Sequence, residues 1–265
     1  PEICAIYIPL LSVLIGNRYW EPIYEAAGEW DKLMQGVFAA AGVADDAQLL
    51  VNLGMVHNDG EWMPYWESWI AWMREQGWRR FGWYVWDQGP GLPGNWSGRL
   101  APSHEFVFHF NRVSRQANKT VESKHAGEAL TGGGLRSVDG VVPKKSHAGQ
   151  AIQTHRVPDS VFRIMRHKGG LGAAGSHPAV FPVALVEAVL EAFTDTGDLV
   201  FEPFCGSGTL LIAAERTGRR CCAVELDPVY CDVAVRRWEM ATGRTASRIT
   251  EAEATTPARR SRKRA

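Results

Sequence analysis

The chain has 265 residues, of which 45% are hydrophobic and 22% are charged, and its formal net charge is zero. This length and composition exclude a disordered protein and predict a substantial globular core. The apolar run at 5–15 is too short for a bilayer span and has no basic flank, so it indicates a buried strand or helix. The five cysteines form no C-x-x-C pair. They predict free thiols in a reducing cytoplasm and no metal site.

The charge is unevenly distributed along the chain. Residues 1–70 hold two basic side chains against ten acidic ones, whereas residues 111–170 hold eleven basic against four acidic. A second basic run lies at 259–264. This distribution favours a face that meets a polyanion, although a solvated loop and a solubilising tail would carry the same charges. The eleven tryptophans are open to two interpretations, core packing or stacking surfaces for bases.

The first half of the chain predicts alternating helices and strands. Apolar residues at 30, 33, 34, 37 and 38 recur with the period of an amphipathic helix. A buried strand is expected at 48–53, and a second helix is expected between Pro64 and Gly77. Strands are expected at 79–87 and 104–110. Because a Gly- and Pro-rich loop joins these two strands, they predict an antiparallel hairpin at a sheet edge.

The second half begins with a polar, basic stretch at 111–160, where hydrophobic periodicity fades and an insertion is expected. Regular structure returns as a helix after Pro182 that ends near Gly197. Next follow a strand (199–201), a helix (209–217), a strand (221–224) and a helix (228–238). This βαβα order predicts an α/β fold with a mostly parallel sheet and right-handed crossovers.

The turn between the strand at 199–201 and the next helix predicts a ligand site. Gly206 and Gly208 let a ligand approach the backbone, and Glu225 follows Gly206 by nineteen residues at the end of the next strand. An acidic residue at this distance accepts hydrogen bonds from a ribose in Rossmann-like sheets. The sequence G-S-G-T is neither the G-x-G-x-x-G of dinucleotide sites nor a phosphate-binding loop. An adenosine-bearing ligand is therefore expected.

Three motifs in this half resemble those of amino-directed DNA methyltransferases. Residues 201–209 (FEPFCGSGT) resemble the cofactor motif D-P-F-x-G-S-G-T, with Glu202 in place of the usual Asp. Residues 177–182 (HPAVFP) resemble the H-P-x-x-[FK]-P segment, and residues 224–230 (VELDPVY) resemble G-x-E-x-[DN]-x-x-Y. The resemblance is specific over residues 176–231 and extends more weakly over 30–110.

The resemblance implies a Rossmann-like S-adenosylmethionine methyltransferase fold and S-adenosyl-L-methionine as cofactor. Glu225 would bind the ribose hydroxyls, while His177 and Phe181 would line the other wall of the pocket. The remaining implied cofactor contacts are Phe204, Cys205, Gly206, Ser207, Gly208 and Thr209.

The order of the motifs resembles that of the β-type, permuted members of the family. Only 57 residues follow Gly208, so the catalytic half is expected to come first. The implied division is a catalytic half (1–110), a target-recognition insertion (111–160), a cofactor half (161–245) and a disordered basic tail (246–265). Double-stranded DNA would contact Lys144, Lys145 and Arg156. A bacterial or phage-encoded enzyme is expected, with a cognate restriction endonuclease as a candidate partner and an oligomeric state left open.

Methylation of a base amino group needs an aromatic ring that stacks on an extruded base. The family supplies it from a D/S-P-P-Y loop, which this sequence lacks. Tyr19 or Trp20 could replace the ring, the motif could lie upstream of residue 1, or the chain could be an inactive relative. A cytosine-C5 enzyme is excluded because no cysteine follows a proline. Adenine N6 is the expected target, with cytosine N4 as the alternative. Glu105 resembles a family position that supports the active-site loop, although a carboxylate on an edge strand would equally be expected to be merely solvated.

Overall fold

The computed structural model describes residues 3–10, 23–58, 60–91, 94, 96, 98–130, 138–140, 147–166 and 180–249. The strands are β1 (Ile3–Leu10), β2 (Val43–Leu53), β3 (Val56–Asn58), β4 (Glu61–Met63), β5 (Arg79–Asp87), β6 (His104–Asn111), β7 (Val121–Glu122), β8 (His155–Arg156), β9 (Val161–Arg163), β10 (Leu199–Glu202) and β11 (Arg220–Ala223). The helices are α1 (Ile23–Ala40), α2 (Glu67–Glu75), α3 (Val183–Phe193), α4 (Thr209–Thr217) and α5 (Pro228–Thr242).

Seven strands form one sheet in the order β11-β10-β1-β2-β6-β5-β9. The first four are mutually parallel, whereas β6 runs antiparallel to both β2 and β5. The predicted α/β fold with a mostly parallel sheet and an antiparallel hairpin is confirmed. The hairpin, however, does not form the outer edge, because the short strand β9 pairs with β5 outside it. Three residues are too few to carry a readable alternation, which is why the sequence did not predict β9.

Two apolar cores lie on opposite faces of this sheet. Leu49, Val51 and Leu53 point to the face covered by α1 and α2, where Trp30, Trp66 and Trp69 are buried. The alternate residue Leu50 points to the face covered by α3 and α4. Among the described residues Trp62 and Trp83 are exposed, whereas five tryptophans are buried in these cores: Trp30, Trp66, Trp69, Trp78 and Trp86.

The predicted insertion contains little of the main sheet. Its strands β7 and β8 pair with each other in a separate two-stranded sheet. Loop hydrogen bonds such as Ile152 N to Glu128 O (2.8 Å) extend this pairing. The division of the chain into four segments stays a prediction. Among the described helices, none has both the length and the apolarity needed to cross a bilayer.

A buried polar network joins β2, β6 and β5. The Gln48 side chain donates from Nε2 to the carbonyls of Asp46 and Val113, so its Oε1 is the acceptor for His109 Nε2 at 2.9 Å. The other ring nitrogen, Nδ1, then accepts from the Tyr84 hydroxyl, also at 2.9 Å. Burial lowers the pKa of His109 from 6.5 to about 4. The ring is therefore neutral at pH 7, with its proton on Nε2.

We expect His109 to make folding sensitive to mild acid. Unfolded His109 takes up a proton near its ordinary pKa, whereas folded His109 resists protonation until about pH 4. Neutral His109 therefore stabilises the folded state fully above pH 6.5. As the pH falls from 6.5 to 4, the free energy of unfolding decreases by about 3 kcal/mol. Urea unfolding at pH 7.5 and 4.5 should show the wild type losing more stability than His109→Gln. His155→Gln, at an exposed position, is the control. Equal losses in the wild type and His109→Gln would contradict the assignment.

Candidate functional site

The sheet has a topological switch between β10 and β1. The chain leaves β10 through α4 toward β11 on one side, and leaves β1 through α1 toward β2 on the other. Their carboxyl ends lie at one edge, because the two strands are parallel. Ligands of open α/β sheets bind in the crevice at such a point. The glycine turn follows β10 directly and therefore lies at this crevice.

The turn has two residues with backbone conformations that favour glycine. Gly206 has φ 52° and Gly208 has φ 76°. A Cβ atom added at Gly208 would lie 2.8 Å from Ala234 Cβ and 3.0 Å from its Cα, so α5 packs directly on the turn. The turn closes with a hydrogen bond from Gly208 N to Cys205 O (2.9 Å). The turn leads directly into the amino end of α4, where the first backbone N–H groups lack helical partners.

The Glu225 carboxylate is fixed beside this turn by backbone amides. Its Oε2 accepts from Gly206 N at 2.6 Å, and its Oε1 accepts from the amides of Leu226 and Asp227 at 3.0 Å. A carboxylate offers about four acceptor positions. Three are engaged by protein amides, which leaves capacity for a ligand hydroxyl and holds the group in one orientation.

Glu202 is a buried acid with an unsatisfied atom. Its side chain is 1% exposed, and its Oε2 has no hydrogen-bond partner within the part of the chain that the structure describes. Burial, together with the charge of Glu225, raises the pKa of Glu202 well above its usual range. A cationic ligand group beside this oxygen would favour the ionised acid and supply a partner. The unsatisfied oxygen of Glu202 thus fits a cationic group of a ligand, and the Glu225 carboxylate fits a ligand hydroxyl.

Two thiols near this acid, Cys205 and Cys221, have raised pKa values. Burial, followed by the charge of Glu202, raises the pKa of both Cys205 and Cys221. A thiol with a raised pKa is a poor nucleophile at neutral pH. Cys205 is buried in the turn, and its predicted contact with the cofactor stays a prediction.

An exposed apolar rim beside Glu225 was not predicted from the sequence. Leu226 is 97% exposed, and Val224 and Val229 are also exposed. Asp227 caps α5 by accepting from Val229 N at 2.8 Å, and Pro228 occupies the first helical position. The cap holds this rim at the start of the helix. A flat apolar ligand group bound beside Glu225 would contact it.

The two predicted pocket phenylalanines pack in different cores. Phe204 lies against the core of α1 and α2, whereas Phe181 lies in the core of α3 and α4. The Phe181 ring contacts Trp86 at 5.4 Å between centroids. Its predicted role at the pocket wall stays a prediction. His177, named with it from the sequence, lies outside the described residues.

Glu105 lies at the same edge of the sheet, at the start of β6. Burial raises the pKa of Glu105 and outweighs the hydrogen bonds from the Gln88 and Asn52 side chains, which lower it. Asn52 also donates to Phe106 O at 2.9 Å. Glu105 is thus held within a polar cluster rather than merely solvated, and its support of the active-site loop stays a prediction.

Of the three predicted DNA-contacting residues, only Arg156 is described. Its Nη1 and Nη2 bind both oxygens of Asp159, at 2.8 and 3.3 Å. A fork-to-carboxylate pair of this kind competes with phosphate for the same donors. Lys144 and Lys145 lie outside the described residues, as do the stacking candidates Tyr19 and Trp20. Within the described ranges no cluster of His, Cys, Asp or Glu has the arrangement of a metal site.

A Rossmann-like sheet with a glycine turn at its switch point, and a carboxylate held beside that turn, is the arrangement of nucleotide- and nucleoside-binding α/β proteins. The family profile described as DNA methylase, for the N6 and N4 methyltransferases, matches residues 16–236. The chain therefore belongs to the DNA methylase family.

Individual relatives agree with this family. The chain is 29% identical over 161 residues to the type II methyltransferase M.XycI of Xanthomonas campestris pv. cyanopsidis, a match that covers 59% of the chain and 45% of the relative. It is 41% identical over 140 residues to the orphan methyltransferase M.BamHII of Bacillus amyloliquefaciens, covering 50% of the chain and 52% of the relative. The chain thus spans about half the length of the curated relatives it matches.

Solved structures agree with the fold. The cytosine-N4-specific PvuII DNA methyltransferase superposes with a TM-score of 0.64 at 18% identity, covering 89% of this chain and 79% of that one. M1.HpyAVI in complex with SAM superposes with a TM-score of 0.53 at 18% identity, covering 89% and 88%. At these identities the comparison bears on the fold alone.

Proposed function

We propose that this chain is the S-adenosylmethionine-dependent part of a DNA methyltransferase that modifies an exocyclic amino group, with adenine N6 as the target. The observation that carries the proposal is the Glu225 carboxylate, which the amides of Gly206, Leu226 and Asp227 hold at the switch point. Membership of the DNA methylase family supports the reaction class.

Different residues of the site bind different parts of the cofactor. Glu225 accepts from the ribose hydroxyls, and the exposed rim at Leu226 meets the adenine. The glycine turn receives the methionine part, and Glu202 faces its cationic groups. When bound, S-adenosylmethionine supplies an electrophilic methyl group to the amino nitrogen. The protein's part is to orient the two reactants and exclude water.

Cytosine N4 is the second candidate target. The PvuII enzyme, whose structure superposes with a TM-score of 0.64, is specific for cytosine N4. Another relative, YhdJ of Escherichia coli strain K12, is a DNA adenine methyltransferase and is 27% identical over 122 residues. The two bases are chemically close at the reacting nitrogen, so the choice depends on the pocket that receives the flipped base.

The remaining assignments belong to the same proposal. Double-stranded DNA is the partner, and residues 111–160 are its recognition segment, with Lys144, Lys145 and Arg156 as contacts. Arg156 would exchange Asp159 for phosphate on binding. Tyr19 or Trp20 is the candidate stacking residue, and a bacterial cytoplasmic setting with a cognate endonuclease is consistent with the type II relatives.

Transfer of a tritium-labelled methyl group to DNA tests the function. The purified chain is incubated with labelled S-adenosylmethionine and unmodified double-stranded DNA, and the DNA is digested to nucleosides. We expect label in N6-methyladenine, and label in N4-methylcytosine would favour the second candidate. Tyr19→Ala and Trp20→Ala identify the stacking residue by loss of transfer. Cofactor binding without transfer to any DNA would contradict the catalytic proposal.

A further inference from the structure

Arg237 on α5 contacts the glycine turn directly. Its Nη1 donates to Ser207 Oγ at 2.7 Å, to Thr209 Oγ1 at 3.2 Å, and to the Ser207 carbonyl. Both hydroxyl-bearing residues are buried. None of the three family motifs includes this arginine, so the motifs give it no role.

The arginine acts on a turn that has little freedom. Ala234, one helical turn before Arg237 on the same face of α5, closes the space behind Gly208. Glu225 holds the Gly206 amide from the opposite end of the turn. Arg237 thus fixes the middle of the turn, at Ser207, between two points that other groups already fix.

We propose that Arg237 is a positioning residue that sets cofactor affinity by holding Ser207 and Thr209 in the ligand-binding form of the turn. This inference rests on the proposed function, because the turn must receive the methionine part of S-adenosylmethionine. Arg237 itself does not touch the cofactor. Its positive charge, half-buried beneath the amino end of α4, also adds to the field that favours the ligand's carboxylate.

All three acceptors converge on one nitrogen, and this geometry makes the inference specific. An Arg Nη atom carries two hydrogens for three acceptors, whereas a Lys ammonium carries three. In these contacts the Arg237 guanidinium does not bind one acceptor group through two of its nitrogens. Arg237→Lys should therefore retain most of the affinity, although Arg-to-Lys changes at fork sites usually do not.

Calorimetric titration with S-adenosylmethionine tests the inference. We expect Arg237→Met to weaken binding at least tenfold, which corresponds to about 1.4 kcal/mol. We expect Arg237→Lys to lie within about threefold of the wild type, a difference of about 0.7 kcal/mol. The adjacent Arg236 donates to Asp232 O on its own helix, at 3.2 Å, so Arg236→Met is the matched control and should bind normally.

A purely structural arginine would give a different pattern. Arg237→Met would then lower the melting temperature without changing the dissociation constant for S-adenosylmethionine. Should Arg237→Met fail to fold, the pair Ser207→Ala and Thr209→Val removes two of the three contacts from the turn side. Wild-type affinity for S-adenosylmethionine in that double variant, or in folded Arg237→Met, overturns this inference but leaves the proposed function standing. A wild-type chain that does not bind the cofactor overturns the proposed function with it.

Discussion

Replacing Glu225 by Gln is expected to weaken S-adenosylmethionine binding at least about 30-fold, or about 2 kcal/mol. The carboxylate receives amides on both oxygens, from Gly206 on one side and from Leu226 and Asp227 on the other. A Gln side chain must turn its NH₂ toward one of these donors, which breaks that contact and moves the remaining oxygen. Hydrogen bonds to a charged acceptor contribute about 1.5–3 kcal/mol each.

The experiment is a calorimetric titration of both proteins with a surface control. Glu187 on α3 pairs with Arg216 at 3.5 Å, and both side chains are partly exposed. An exposed pair of this kind contributes about 0–1 kcal/mol, so Glu187→Gln should leave cofactor affinity unchanged. Wild-type affinity in Glu225→Gln would show that the ribose is held elsewhere.

The second large effect is on stability, in Gly208→Ala. The new methyl group would meet Ala234 Cβ at 2.8 Å, at a residue whose φ is 76°. A left-handed backbone costs an ordinary residue about 1–2 kcal/mol, and overpacking adds about 1–3 kcal/mol. We expect the free energy of unfolding to fall by about 3 kcal/mol, the sum of these two contributions, measured by urea denaturation.

Gly243 separates these two causes. Its φ is 68°, similar to that of Gly208, but a Cβ atom added there would meet nothing within 4 Å. Gly243→Ala should therefore lose only the backbone part, about 1–2 kcal/mol. If both variants lose the same stability, the close approach of α5 to the turn is not a constraint on the fold.

Local signals accounted for the cofactor half of the fold. α4 spans Thr209–Thr217, as predicted, because Gly218 takes the left-handed conformation that ends it. α5 begins at Pro228, as predicted, because Asp227 caps it. Glycine, proline and a capping carboxylate act through neighbouring residues, so a sequence shows their effect directly.

Such local signals do not predict which strands become neighbours in the sheet when they are far apart along the chain. β1 lies between β10 and β2, and its Ala5 is registered with Val200, far away along the chain. The apolar run at 5–15 predicted that this segment is buried, but it did not identify the strands that pair with it. Whether such a run is a strand or a helix depends on neighbours that periodicity does not identify. The edge position of the hairpin was wrong because the three-residue strand β9, which pairs outside it, is too short to be predicted from its pattern.

The candidate site divides in the same way. The glycines and Glu225 were predicted because their roles need specific residue types at a fixed spacing. The unsatisfied oxygen of Glu202 was not predicted, because it depends on how the helices and strands around it bury the side chain. The pairing of Arg156 with Asp159 was readable as neighbouring opposite charges, yet its effect on DNA contact needs the bidentate geometry.

The most direct test is calorimetric titration of the wild-type chain and of Gly206→Trp with S-adenosylmethionine. We predict saturable binding at one site in the wild type and none in the variant, because an indole at position 206 would fill the space beside the glycine turn. Near-ultraviolet circular dichroism would verify that the variant is folded. Unchanged binding in folded Gly206→Trp, or a wild type that binds a nicotinamide or flavin nucleotide instead, would contradict the assignment of the turn.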